Sequence, residues 1–331
     1  MQRVTVYEVA AKAGVSISTI SRVLNAPEKV NPATRERVMA AIDELGFVPK
    51  AEAAARSRKK HGRIGVLAPF LTYPSFVQRL RGVTTALYKS AYELAIYYVD
   101  SLARLDGYIA SFVVTQRLDG LILMALALSD RSAERLCGAG IETVLIEYTH
   151  EGVSSVEIDD EAGGRLAAEY LLARGHKRLG FVGDTDLPDY AVHNSERRLT
   201  GYRMAITQAG LSLSDAYIGL APHGLETARQ QAHGLLGLPE PPTAIFTHSD
   251  TQAIGVLKAA RERQLNVPRD LAVIGFDDVE ISEYVGLTTV RQPLEESGRV
   301  AVELLLRRLS DPGRPPQRIR LPLKLIQRET A

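Results

Sequence analysis

Three sets of residues in this chain have types that could do chemistry. The first is a mainly polar group near the N-terminus: Ser18, Thr19, Ser21, Arg22 and Asn25, with the apolar Ile17 beside them. The second is scattered behind apolar runs: Arg198 opens R-L-T-G-Y, Asp250 follows I-F-T-H-S, and Asp277–Asp278 follows V-I-G-F. The third is the single cysteine, Cys137. Hydroxyls, an amide and a guanidinium on one helix face suit the phosphates and base edges of DNA. A carboxylate accepts two vicinal hydroxyls and Arg offers a fork of donors, so the second set suits a small polar ligand. Adjacent acids such as Asp277 and Asp278 rarely face one site, which makes a general acid/base pair a poor reading. There is no zinc-ligand spacing, P-loop or nucleophile elbow, and G-F-V-G-D at 180–184 is too sparse for a dinucleotide fingerprint. No enzyme activity, cofactor or metal is therefore expected. One cysteine excludes an internal disulfide and a cysteine zinc cluster, and its place in E-R-L-C-G-A-G predicts a buried structural thiol.

The first set must be positioned by helices. Val6, Val9, Ala10 and Ala13 recur at helical spacing, as do Val15, Thr19, Ile20, Val23 and Leu24, and Gly14 separates the two groups. Ser16 stands at an N-cap position for the second segment. The pair reads as a helix-turn-helix with the polar set on or near an exposed face. From spacing alone, DNA binding and an ordinary helical hairpin with a solvated face are both open. A third helix follows: Asn31 caps it, Pro32 fits its first turn, Val38, Ile42 and Leu45 share a face, and Gly46 ends it. Beyond Pro49, the run K-A-E-A-A-A-R-S-R-K-K-H-G has helix formers but no apolar stripe to bury.

From Arg63 the pattern alternates buried strands with amphipathic helices, first over R-I-G-V-L-A-P to T-V-L-I-E-Y and again over R-L-G-F-V-G to L-A-V-I-G-F-D-D. Such a succession predicts parallel sheets covered by helices, in two similar lobes. Ligands then collect outside the carboxyl ends of the strands, in the cleft between the lobes. Charge divides the same way. Residues 1–61 hold eleven basic and six acidic side chains, giving +5, whereas the other residues carry −4. A basic head on a mildly acidic body favours nucleic-acid binding by the head. The N-terminus M-Q-R-V-T-V-Y has no apolar leader, and Leu121–Leu128 is too short to span a bilayer, so no membrane association and a cytoplasmic location are expected.

The chain resembles the lac repressor/galactose repressor family of bacterial transcription regulators. V-T-V-Y-E-V-A-A-K-A-G-V-S-I-S-T-I-S-R-V-L-N, T-R-E-R-V and L-G-F-V-P carry the resemblance in the head. In the body it is carried by V-E-I-D-D-E-A-G, L-L-A-R-G-H-K-R-L-G-F, R-R-L-T-G-Y-R, V-I-G-F-D-D and L-T-T-V-R-Q-P. The resemblance implies an all-α helix-turn-helix head over residues 1–48 and a hinge over 49–62. It implies an α/β body of two Rossmann-like lobes over 63–331, similar to type I periplasmic sugar-binding proteins. The first lobe would hold about 63–159 and 290–319, the second about 160–289 and 320–331. Crossovers would lie near Asp159, Leu287–Gln292 and Arg318–Leu321.

The same resemblance implies a homodimer on a near-palindromic double-stranded operator, controlled by a sugar-like or, alternatively, a purine or nucleoside effector. Tyr7, Ser16, Thr19, Ser21 and Asn25 match backbone-contacting positions, and Ile17, Ser18 and Arg22 match base-reading ones. In the hinge, Arg56 stands where many relatives carry a leucine wedge, with Glu52 at a helix-pairing position and Lys50 after the proline. Arginine enters a narrow minor groove but is a poor wedge, so less operator bending is expected. Tyr73, Phe76, Tyr148, Arg198, Asp250, Phe276, Asp277 and Gln292 match ligand-lining positions. Two departures leave the ligand open: F-L-T-Y-P-S replaces the common D-x-x-N-P-F, and Ser249-Asp250 replaces N-D.

Overall fold

A computed structural model describes residues 5–25, 30–45, 62–185 and 188–331, without the side chains of residues 24, 25 and 43. The chain divides into two compact units, Met1–Gly62 and Arg63–Ala331. In the first, α1 spans Val6–Ala13, α2 Ile17–Asn25 and α3 Pro32–Leu45. Each start is set locally. The Glu8 carboxylate accepts a hydrogen bond from the Thr5 N–H at 2.6 Å. The Ser16 hydroxyl accepts from the Thr19 N–H at 3.2 Å, and Asn31 Oδ1 accepts from the Ala33 N–H at 2.9 Å. Gly14 ends α1 in the left-handed conformation at φ +64°. Val9, Ala10, Ala13, Ile20, Val23, Val38, Ala41 and Ile42 form one small core.

The second unit runs β1 (Arg63–Ala68), α4 (Pro74–Leu87), β2 (Glu93–Tyr98), α5 (Leu102–Thr115), β3 (Gly120–Met124), α6 (Asp130–Gly138), β4 (Glu142–Ile146) and β5 (Ser154–Glu157). It continues with α7 (Asp160–Ala173), β6 (Leu179–Asp184), α8 (Asn194–Gln208), β7 (Ile218–Ala221), α9 (Leu225–Leu235), β8 (Ala244–Thr247), α10 (Asp250–Glu262), β9 (Ala272–Asp277), α11 (Glu280–Tyr284) and β10 (Thr288–Arg291). It ends with α12 (Leu294–Ser310), β11 (Arg318–Arg320) and β12 (Lys324–Ile326). The strands make two six-stranded sheets, ordered β11-β5-β4-β3-β1-β2 and β12-β10-β9-β8-β6-β7. All pairs are parallel except β12 against β10. Both are doubly wound orders, whose reversal points, β1/β3 and β6/β8, open at the carboxyl ends of the strands.

The chain crosses between sheets three times: after β5, after β10 and after β11. The second crossing follows Arg291, so residues 290–291 belong to the second sheet rather than the first. Arg320 pairs with Glu157 and stays in the first sheet, one residue beyond the expected boundary. Helix α7 packs on α8 because Gly164 and Gly201 leave no side chain between them. A Cβ at either would lie 1.9 Å from a backbone oxygen of the other helix, Arg198 O or Glu161 O. Cys137 is exposed, contrary to expectation. Ser132, Ala133 and Leu136 take the buried face of α6, and the next residue falls outside it.

Candidate DNA interface and ligand cleft

Ile20 and Val23 turn inward from α2, which leaves Ile17, Ser18, Ser21 and Arg22 on its outer face. Ile17 is 41% exposed, and Tyr7 on α1 is 70% exposed. The Ser16 hydroxyl bonds the hydroxyls of Ser18 at 2.7 Å and Thr19 at 2.9 Å, a cluster at the N-terminus of α2. Backbone N–H groups and the helix dipole favour an anion there, as a DNA phosphate requires. The Asn25 side chain and the hinge residues Lys50, Glu52 and Arg56 lie outside what the structure describes.

In the second unit a cavity lies between the strand ends of the two sheets. Phe70, Tyr73, Phe76, Ala125 and Glu147 line it from the first lobe. Asp184, Asn194, Arg198, His223, His248 and Asp277 line it from the second, with Gln292 at the crossover. Rings fill much of it. Phe70 and Tyr73 stack at 5.0 Å, and Tyr73 reaches across to stack on His223 at 4.4 Å. The lobes also share backbone bonds, Ala127 N–H to Tyr190 O at 2.9 Å and Val192 N–H to Ala125 O at 3.1 Å. The cavity volume is about 60 Å³. An apolar cavity that admits benzene is about 150 Å³, so a ligand of sugar size enters only if rings or lobes move apart.

Arg198 anchors the polar wall. It is 2% exposed, its guanidinium lies 3.5 Å above the Phe276 ring, and Nε donates to Asp160 at 2.9 Å. Its Nη1 donates to the His248 carbonyl at 2.6 Å and to His248 Nδ1 at 3.3 Å. A guanidinium cannot accept, so His248 Nδ1 must be the acceptor and its ring proton sits on Nε2. That nitrogen lies 3.2 Å from Asp184 Oδ2, while His223 Nδ1 lies 3.1 Å from Oδ1. Gln252 Nε2 also donates to Asp184 Oδ1 at 2.6 Å. Burial pushes the Asp184 carboxyl up, but His248 and His223 outweigh it and hold the group well below the usual carboxylate range. Asp184, His223 and His248 together bring three possible metal-ligand atoms within 4.8 Å of one another.

A second buried chain ties the lobes. Arg79, 1% exposed, donates through Nη2 to Glu147 at 2.5 Å and to Gln292 Oε1 at 3.4 Å. Gln292 Nε2 donates to Asp277 Oδ1 at 2.5 Å, and Asp277 lies 3.9 Å from Arg198. Burial pushes both Asp160 and Asp277 up, against the pull of Arg198.

Of the eight expected lining residues, Tyr73, Phe76, Arg198, Asp277 and Gln292 meet at the cavity. Three do not. Phe276 is fully buried as the platform beneath Arg198. Asp250 is fully buried and accepts from Val279 N–H at 2.8 Å, Ser282 Oγ at 2.7 Å and Thr289 Oγ1 at 2.6 Å. Its oxygens are committed to tying α10 to β10 and to the β9–α11 turn. Tyr148 packs into the first lobe's core, while Glu147, left-handed at φ +67°, turns to the cavity instead. Sequence reasoning missed Glu147, Asp184, Asn194, His223 and His248. Asp184 and His248 directly end apolar strand runs, a signal that was available. His223 follows β7, which is four residues long with Leu220 exposed, too weak a pattern to mark a strand.

The family model for "Bacterial regulatory proteins, lacI family" matches residues 5–50, and that for the "Periplasmic binding protein-like domain" matches 168–331. The chain is 32% identical over 332 residues to catabolite control protein A of Priestia megaterium, covering 99% of each. It is 32% identical over 333 residues to the ribose operon repressor of Escherichia coli (strain K12), again covering 99% of each. Among solved structures, the lac repressor dimer bound to operator and the anti-inducer ONPF superimposes with a TM-score of 0.82 at 27% identity, over 99% of each chain. The complex of the transcriptional regulator CelR with cellobiose gives 0.72 at 30% identity, over 99% of this chain and 100% of that one. No helix among the described residues is long and apolar enough to cross a membrane. With a helix-turn-helix head, two doubly wound lobes and full-length relatives that are repressors, the chain belongs to the lacI family of bacterial regulatory proteins and is an effector-controlled, DNA-binding transcriptional regulator.

Proposed function

We propose that this regulator is a cytoplasmic homodimeric repressor, not an enzyme, that binds a near-palindromic operator and responds to a carbohydrate or carbohydrate derivative held between its lobes. The observation that carries this reading is the convergence of buried Arg198, Asp277 and Gln292 with the rings of Tyr73 and Phe76 on one interlobe cavity. Polar groups of this kind take ligand hydroxyls, and ring faces take the apolar face of a sugar. The CelR–cellobiose complex, similar over the whole chain, supports the same ligand class. On the DNA side, Tyr7, Ser16, Thr19, Ser21 and Asn25 hold the sugar-phosphate backbone, Ile17, Ser18 and Arg22 read bases, and Arg56 approaches the minor groove from the hinge. The effector acts by linkage: it binds one relative orientation of the lobes better than the other and shifts the population that binds operator.

A second reading, a purine or nucleoside effector, is favoured by the run of three rings Phe70, Tyr73 and His223, which would take a flat ring. One experiment separates the readings. The full-length protein is screened by thermal shift against sugars and nucleosides, and each binder is added to an operator-fragment titration. A sugar that raises the melting temperature and changes operator affinity supports the first reading. A nucleoside that does both supports the second. A binder that leaves operator affinity unchanged sinks the effector role for that compound.

A further inference from the structure

We propose that Asp184, His223 and His248 form a binding site for a divalent transition-metal ion of the zinc class at the floor of the cleft. The three residues lie at or just beyond the carboxyl ends of β6, β7 and β8, which are neighbours in the second sheet. They are therefore brought to one mouth although they stand far apart in sequence. One carboxylate and two imidazoles make a donor set suited to zinc and its borderline neighbours.

The spacing fits an ion. Asp184 Oδ2 lies 3.2 Å from His223 Nδ1 and 3.2 Å from His248 Nε2. Tetrahedral ligands about 2.0–2.1 Å from a zinc ion stand roughly 3.3–3.4 Å from each other. Two edges of such a tetrahedron are thus already formed, and the third spans at most 4.8 Å. The carboxylate is oriented from behind by Gln252, which is 1% exposed and donates to Asp184 Oδ1 at 2.6 Å. Partners of this kind hold metal ligands in place.

A further buried acceptor lines the cavity without a partner. Asn194 lines the same cavity and is 7% exposed, and its Oδ1 has no hydrogen-bond partner. Its neighbour Ser195 accepts a hydrogen bond from the Asp184 N–H at 3.0 Å, which holds the start of α8 against the end of β6. A buried acceptor without a donor is destabilising, and a cation would satisfy it.

Without the ion, each imidazole directs an N–H at the Asp184 carboxylate. Metal binding moves that proton to the other ring nitrogen, so no net proton is released by a neutral ring. For His248 that nitrogen faces Arg198 Nη1 at 3.3 Å. The same Nη1 donates to the His248 carbonyl at 2.6 Å, so metal binding requires the His248 ring to turn its protonated Nδ1 away from Arg198. His223 lies beneath Tyr73 of the opposite lobe, so the ion sits against the contact between the lobes.

The test uses the full-length protein and needs neither DNA nor effector, so its outcome is separate from that of the effector reading. Zn²⁺ titrated calorimetrically is expected to bind once per chain and to raise the melting temperature. Co²⁺ is expected to give the visible absorption bands of a tetrahedral site. H223A, H248A and D184N each lose the bands and the thermal shift. H233A, outside the cleft, keeps both. Q252A weakens binding about 10–100-fold. Circular dichroism of the metal-free variants shows that they remain folded, and the wild-type Co²⁺ spectrum decides the matter even where a variant does not. Absence of Co²⁺ bands in the wild type overturns the proposal, as does a Zn²⁺-dependent shift that survives in H223A/H248A.

Discussion

The proposed DNA face and the proposed ligand cleft of this regulator are built in opposite ways. The face on α2 draws on Ile17, Ser18, Ser21 and Arg22, five positions apart at most and all on the outside of one helix. Its support, among the described residues, is a core of eight small or medium side chains. The cleft collects side chains from Phe70 to Gln292, most of them buried and bonded to each other. On an exposed face each residue meets water or DNA independently, and substitutions should be separable. In a buried polar network each group is another's partner, and removing one leaves the others uncompensated. Recognition of DNA and stability of the fold are therefore separable in the head but entangled in the cleft.

Four measurements would break or sharpen that contrast. The largest effect is expected from R198A, which leaves Asp160 buried without its cation. Losing one partner of a buried pair costs about 3–5 kcal/mol. At roughly 2–4 °C per kcal/mol, the melting temperature should fall by about ten degrees. A fall of only a degree or two would mean that the cleft tolerates change as a surface does. Next comes R22A, expected to weaken operator binding by about 1–3 kcal/mol, roughly 5- to 150-fold, while the melting temperature stays put. An equal loss on non-operator DNA would show that Arg22 holds phosphate rather than reading a base.

The third test is pH. Burial, with Asp277 adding repulsion, pushes the Asp250 carboxyl up to about 8. The native state then holds a proton that the unfolded chain, with an ordinary pKa near 4, has released. Stability from this group is full below pH 4 and is lost as pH rises toward 8, by at most about 1.4 kcal/mol per unit. Unfolding free energies at pH 6 and pH 8 should show this decline, and D250N should flatten it; an identical slope in D250N would count against it. The smallest effect is expected from Y73A. Aromatic pairs contribute about 0.5–1.5 kcal/mol beyond burial, so the loss is modest, while the emptied space should admit ligand faster. Stopped-flow binding that shows no faster entry would mean that Tyr73 does not obstruct the cleft.

Much of this molecule was legible before any coordinates. Capping residues Ser16 and Asn31, the break at Gly14 and the inward positions Ile20 and Val23 follow from local rules. Most strands of both lobes showed as apolar runs, and strand-end reasoning led to Asp277, which lines the cavity. The failures have a common form. Tyr148 and Phe276 were aromatics that match lining positions, but a left-handed Glu147 and the need for a platform under Arg198 sent both into the core. Asp250 sat at a strand end, yet its oxygens were taken by donors on Val279, Ser282 and Thr289, which no spacing reveals. The expectation of no metal rested on ligand spacing along the chain, which says nothing of groups that neighbouring strands gather, such as Asp184, His223 and His248.

What the sequence determined by itself was local: helix starts and stops, the polar face of α2, the basic head, the alternation of strand and helix, and hence two lobes with a cleft. These depend on contacts within a few residues, where propensity and periodicity act directly. Only the tertiary structure decided which polar groups face the cavity and which are consumed as partners, since that depends on what a parallel sheet places beside them. The pairing of Gln292 with both Arg79 and Asp277, and the gathering of Asp184, His223 and His248, are long-range choices made by strand order and helix packing.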